Sequence, residues 1–182
     1  MPTYIALLRA VNVGGRTYKM ADLREHLAAS GLSDVETYIQ TGNVRFSSAM
    51  RSDAKVEKHV EDVLGAHAGF AVPAIVLRPA ELREVYDEAL ALPPPRFGKA
   101  DGQRRYVNFF KAGEVPDTDT AKQMEAWDEP GESAAVIGRA VHIWLDHPMH
   151  EAKFFGAFKK PLAPGTSRDL KVVTALAERW GA

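Results

Sequence analysis

Residues 8–15 read Leu-Arg-Ala-Val-Asn-Val-Gly-Gly and combine a charge, an amide and bare main chain. Arg9 supplies a guanidinium that can neutralise an anion through paired N–H groups. Asn12 offers both a donor and an acceptor. Gly14 and Gly15 permit positive φ angles and close approach of a ligand to the backbone. The chemistry is anion recognition, and it names no reaction. No Gly-Lys-Ser or Gly-Lys-Thr follows, so this is not a Walker loop, and the third glycine of a dinucleotide fingerprint is missing. A plain strand-to-helix turn accounts for the same residues.

Two further groups belong with this loop. Thr166-Ser167-Arg168 precedes Leu170, Val173, Leu176 and Ala177, whose spacing predicts a helix over 168–180 capped by Thr166 or Ser167. Free N–H groups at such a terminus suit phosphate or carboxylate, a single charge there contributing about 0.3–1 kcal/mol. The bland alternative is a capped helix with a surface arginine. Asn43 ends the turn Thr41-Gly42-Asn43, where a simple hairpin would place it in a left-handed conformation.

The leading expectation is therefore a small anionic ligand, phosphorylated or nucleotide-like. Arg9, Asn12, Gly14 and Gly15 line one side, Asn43 an adjacent rim, and Thr166, Ser167 and Arg168 the other. The alternative is a protein- or nucleic-acid-interaction module using a sheet face or the basic carboxyl-terminal region. In a third reading Arg9 and Asn12 only brace the fold.

Other chemistries find less support. His147 and His150 are interrupted by Pro148 and lack a third ligand, His59 and His67 lie two helical turns apart, and His26 and His142 are isolated. No metal and no cofactor are expected. The chain contains no cysteine, which excludes disulfides and thiolate chemistry and fits a reducing cytoplasm. It lacks a Gly-x-Ser-x-Gly elbow. The glycine-aromatic signature of RNA-recognition folds is absent, although Tyr106 and Phe110 share a strand face with Asn108.

Net charge is −1, without the basic footprint of a protein that grips nucleic acid. The charge is uneven: residues 114–132 carry seven acids against Lys122 alone, and residues 153–182 are mainly basic. Apolar content of 46% and charged content of 26% are those of a globular protein. No leader and no apolar run near the roughly 20 residues of a membrane span occur, so a cytoplasmic protein is expected. Nothing in the composition fixes an oligomeric state.

The elements that must position these residues follow from periodicity. Residues 4–11 form a short apolar run that reads as a buried strand. Met20, Leu23 and Leu27 recur at helical spacing up to Gly31, and strands over 35–39 and 44–46 flank the Thr41-Gly42-Asn43 turn. Ser52 caps a helix with Val56, Val60, Val63 and Leu64 on one face, Gly69 ends it, and residues 72–77 supply another strand. The order β-α-β-β-α-β is ferredoxin-like. Pro79 opens a helix with Leu82, Val85, Tyr86, Ala89 and Leu90 on one face, and the Pro93-Pro94-Pro95 stretch leads into a linker.

Beyond it come a strand over 105–110, a helix capped at Thr120, a hairpin around Gly138-Arg139, a helix over 151–158 and the terminal helix. That half repeats the first order without its last strand. The expectation is an α+β chain of two ferredoxin-like halves, the second degenerate, with an extra C-terminal helix. The halves span 1–78 and 104–182, and a helix and linker over 79–103 join them.

The blocks ALLRAVNVGG, KMADLREHLAASGLSDVETYIQTGNVRF and GTSRDLKVVTALAE resemble the bacterial family labelled domain of unknown function 1697 (DUF1697). The resemblance runs from Tyr4 to about Glu178. Arg9, Asn12, Gly14, Gly15, Thr37, Tyr38, Gly42 and Asn43 match its pattern. Ala10 stands where the family has glycine, Thr41 where it has serine, and Asp169 where an amide is usual. The resemblance implies two ferredoxin-like halves and no activity.

Overall fold

The computed structural model describes residues 1–93, 95 and 104–182. Apart from Pro93 and Pro95, the proline- and glycine-rich part of the expected linker lies outside these residues. The chain divides into two units, Met1–Arg83 with Leu176–Ala182, and Glu84–Ala175.

The first unit holds β1 (Thr3–Leu8), α1 (Met20–Ala29), β2 (Ser33–Tyr38), β3 (Asn43–Ser47), α2 (Asp53–Ala68) and β4 (Ala74–Leu77). The strands form an antiparallel sheet in the order β2-β3-β1-β4. β1 is central, which explains its unbroken apolar run. Tyr4, Ala6 and Leu8 join the cluster built by α1 and α2, while Ile5 and Leu7 are buried on the opposite face. Leu23 and Leu27 anchor α1. Gly31 takes φ 94°, and the bonds Gly31 N–H to Ala28 O and Leu32 N–H to Leu27 O make a Schellman ending. Ser52 caps α2, and Gly69 closes it at φ 74°.

The helix also protects a sheet edge. Glu61 accepts from Ala74 N–H at 2.9 Å and Glu57 from Val76 N–H at 3.0 Å. These are the outward donors of β4, and occupying them blocks pairing with another strand.

α3 (Pro79–Ala91) starts at Pro79 as expected, with Leu82, Val85 and Ala89 buried, but Leu90 is exposed. The second unit then holds β5 (Arg104–Phe109), α4 (Thr118–Glu125), β6 (Glu132–Ile137), β7 (Ala140–Leu145), a 3-10 turn (Met149–Glu151), α5 (Lys153–Ala157), α6 (Lys159–Leu162) and β8 (Thr166–Asp169). α7 (Leu170–Trp180) follows, and the division between units falls within α3 and within α7. Asp117, not Thr120, caps α4, accepting from Thr120 N–H at 2.8 Å. The helix expected over 151–158 is broken into the 3-10 turn and two short helices.

The second sheet runs β6-β7-β5-β8, the same permutation as the first. The halves share the α+β, ferredoxin-like plan, and the second is more complete than its sequence suggests. Its fourth strand is β8, where a helix cap was expected. Thr166 pairs with Phe109 and Arg168 with Val107. The correspondence extends to a single bond: Leu8 N–H donates to Gly42 O at 2.8 Å, and Phe110 N–H donates to Arg139 O at 2.9 Å. In each half the fourth strand leads directly into a helix, α3 or α7.

Candidate functional site

After Leu8 the chain leaves the first sheet through a loop rich in left-handed backbone. Arg9 N–H still donates to Pro73 O at 2.9 Å, and then Ala10 and Asn12 both take φ 57°. Gly14 (φ 59°) and Gly15 (φ 81°) form the centre of a turn closed by Arg16 N–H to Val13 O at 3.1 Å. Positive φ at both central positions is the geometry of a type I′ turn, which selects a Gly-Gly pair. Both glycines are exposed, and a Cβ on either would meet nothing within 4 Å.

The side chain of Asn12 holds this loop in shape. Its Oδ1 accepts from Tyr18 N–H at 2.6 Å, and its Nδ2 donates to Tyr18 O at 3.1 Å and to Gln40 O at 2.9 Å. The loop is thereby tied to the β2–β3 turn, which is itself strained. Ile39 takes φ 49°, a conformation costly for a β-branched residue, and Gly42 takes φ 80°. A Cβ at Gly42 would lie 2.8 Å from Leu8 Cβ, so the turn needs glycine both for its dihedral and for contact with β1.

Asn43 is not left-handed; it is the first residue of β3 and is buried. Its Nδ2 donates to Tyr38 O at 3.1 Å and Thr41 Oγ1 at 2.9 Å, so it closes the turn from inside. Asn12 and Asn43 are thus framing residues. The exposed tip consists of Val13, Gly14, Gly15 and Arg16, with half-buried Arg9 beside it. Arg16 lies over the Phe70 ring, 5.0 Å from its centroid.

Thr166, Ser167 and Arg168 belong to the second unit. Thr166-Ser167 does not cap a helix, because the three residues lie in β8 and α7 begins at Leu170. Asp169 supports the helix start instead, accepting from Lys171 N–H at 2.8 Å. Arg168 is 6% exposed, and its Nη1 donates to Thr166 Oγ1 and Ser167 O, both at 2.9 Å. Burial lowers its guanidinium to about 10. Ser167 Oγ donates to Asn108 Oδ1 at 2.9 Å.

Histidine chemistry departs from the sequence reading. His26, isolated along the chain, stacks on His67 with centroids 3.7 Å apart, and its Nδ1 meets the Tyr18 hydroxyl at 2.6 Å. His142 is buried, with no partner for either ring nitrogen among the described residues, and burial together with Arg105 pushes it down to about 4. Among the described residues no three His, Cys, Asp or Glu side chains are placed to hold a metal. His147 bridges Asp146 and Glu132, a relationship that a search for metal spacing overlooks. Tyr106 is half-buried, packs against the second unit's core and meets Phe155 edge-on at 6.4 Å. No helix of the described residues is long and apolar enough to cross a membrane.

The conserved bacterial protein SP0830 of Streptococcus pneumoniae has a similar structure, with a TM-score of 0.70. It is 24% identical, and the likeness covers 100% of this chain and 99% of that one; at this identity it speaks for the fold. No curated protein matches the chain. The family model described as "Protein of unknown function (DUF1697)" matches residues 1–142, which include the framed loop but stop short of the β8 residues. The chain belongs to the DUF1697 family.

Proposed function

We propose that the loop between β1 and α1 binds a small anionic ligand, phosphorylated or nucleotide-like. Main-chain N–H groups of Gly14 and Gly15 and the guanidinium of Arg9 receive the anion, and Arg16 adds a second positive charge at the rim. Asn12 and Asn43 act on the ligand indirectly by fixing the loop and the adjoining turn. Arg168, with Thr166 and Ser167, is assigned to bracing β8.

One observation carries this reading. Four residues of one loop, Ala10, Asn12, Gly14 and Gly15, take positive φ, and the Asn12 side chain bonds that loop to the main chain of Tyr18 and Gln40. Left-handed conformations outside glycine cost about 1–3 kcal/mol each and concentrate where a binding surface has to be preformed. Successive N–H groups in such a conformation form a concavity suited to anions.

Thermal unfolding with inorganic phosphate, nucleotides and short RNAs tests the reading. A ligand at 100 times its dissociation constant stabilises by about 2.7 kcal/mol. Stabilisation by phosphate or nucleotide that is lost in Arg9→Ala supports the site. No stabilisation of the wild type, or an equal effect in Arg9→Ala, counts against it.

A further inference from the structure

His147 stands between two carboxylates in the second unit. Its Nδ1 lies 2.7 Å from Asp146 Oδ1, and its Nε2 lies 3.1 Å from Glu132 Oε1. Glu132 is buried at the start of β6 and has three other donors. Lys153 N–H reaches Oε1 at 2.7 Å, while Phe154 N–H and Trp127 Nε1–H reach Oε2 at 2.8 and 2.9 Å. Each oxygen therefore has two partners, leaving no place for a proton on the carboxylate. His147 Nε2 must be the donor to Glu132.

A neutral imidazole carries one N–H. With that proton on Nε2, Nδ1 becomes an acceptor facing the acceptor Asp146. Both short contacts are satisfied only when a second proton sits between His147 and Asp146.

We propose that His147 is a proton-dependent clasp. Doubly protonated, it ties Asp146, just past β7, to Glu132 on β6; on losing a proton it keeps Glu132, releases Asp146 and loosens residues 146–152.

Asp146 is the partner free to move. Its side chain is 37% exposed, whereas that of Glu132 is 1% exposed. The Asp146 carboxylate occupies the space beside Gly131, where a Cβ would lie 2.1 Å from Oδ1, and its N–H donates to Gly131 O at 3.0 Å. The other charges nearby are turned elsewhere. Lys153 Nζ bonds Glu129 at 2.6 Å while adding its field at Glu132, and His150 lies 3.5 Å from Glu151. The bond to Asp146, then that to Glu132, holds the imidazole above its ordinary value despite partial desolvation. The clasp is therefore closed below the ordinary imidazole pKa of about 6.5 and opens as pH rises through the higher folded value.

The test combines ring-nitrogen NMR of His147 across a pH titration with hydrogen exchange at Asp146 N–H, corrected for intrinsic rates. At pH about 6, below the ordinary imidazole pKa, both ring nitrogens are expected to be protonated. One proton is then lost with a midpoint above that of an unfolded-chain histidine, leaving the Nε2–H form. Protection at Asp146 falls several-fold through the same midpoint. In Asp146→Asn, which leaves Glu132 and its donors in place, the midpoint drops below that of the wild type and the protection step vanishes. An Nδ1–H form at high pH overturns the proposal. So does a midpoint at or below the unfolded value, or protection unchanged through the transition.

Discussion

The side-chain amide of Asn12 donates to the main-chain carbonyl of Gln40 at 2.9 Å, joining two loops 28 residues apart in sequence. The same amide clamps both main-chain groups of Tyr18, so one side chain sets the course of the loop after β1 and its contact with the β2–β3 turn. Gly14 and Gly15 are presented by that frame.

Asn12→Ala removes all three bonds and leaves a less suitable residue at φ 57°. A net loss of about 2 kcal/mol is expected, at 0.5–1.5 kcal/mol for a typical bond with partial replacement by water. Asn12→Asp fares no better, because its second carboxylate oxygen faces the carbonyls of Tyr18 and Gln40. Urea unfolding at neutral pH measures both variants.

Ala10→Gly is expected to stabilise the protein. Ala10 takes φ 57° at the position where the DUF1697 pattern has glycine. A left-handed alanine costs roughly 1–2 kcal/mol, and the added freedom of glycine in the unfolded chain returns about 0.4–1 kcal/mol of that. A net gain of roughly 0.5–1 kcal/mol should appear as a higher denaturation midpoint with an unchanged slope.

Glu132→Gln should destabilise by about 3 kcal/mol near neutral pH, since it leaves buried donors facing an amide that cannot accept from all of them. Burial alone would raise the Glu132 carboxyl, but bonds from Lys153, Trp127, Phe154 and His147 outweigh it and leave the group below its usual range. A depressed carboxyl stabilises the fold above its unfolded pKa, about 4.3, and that contribution is lost as pH falls through the folded value. The gap between wild type and Glu132→Gln should therefore narrow in acid, as measured by unfolding between neutral pH and strongly acidic buffer.

Local patterns carried most of the fold. β1 was legible because a central strand buried on both faces must be apolar throughout, and α2 because Ser52 and Gly69 mark its ends. β8 was not. It has four residues, Thr-Ser-Arg-Asp, with no apolar alternation, and it is a strand because β5 offers it a ladder. Hydroxyls before an apolar stripe look like a helix cap whether or not a neighbouring strand captures them.

The site divides in the same way. The Gly-Gly turn could be read directly from its own residues. The role of Asn12 could not, because its partner Gln40 comes close only once β3 pairs with β1. Glu132 was hidden for a similar reason: its donors at Trp127, His147, Lys153 and Phe154 converge only after β7 and α5 turn back toward β6.

The most direct measurement is an amide NMR titration of the wild-type protein with inorganic phosphate and with nucleotides. The account predicts saturable shifts that are largest at Gly14, Gly15 and Arg16 and are lost in Arg9→Ala. Shifts centred elsewhere in the chain, or none at saturating ligand, would contradict it.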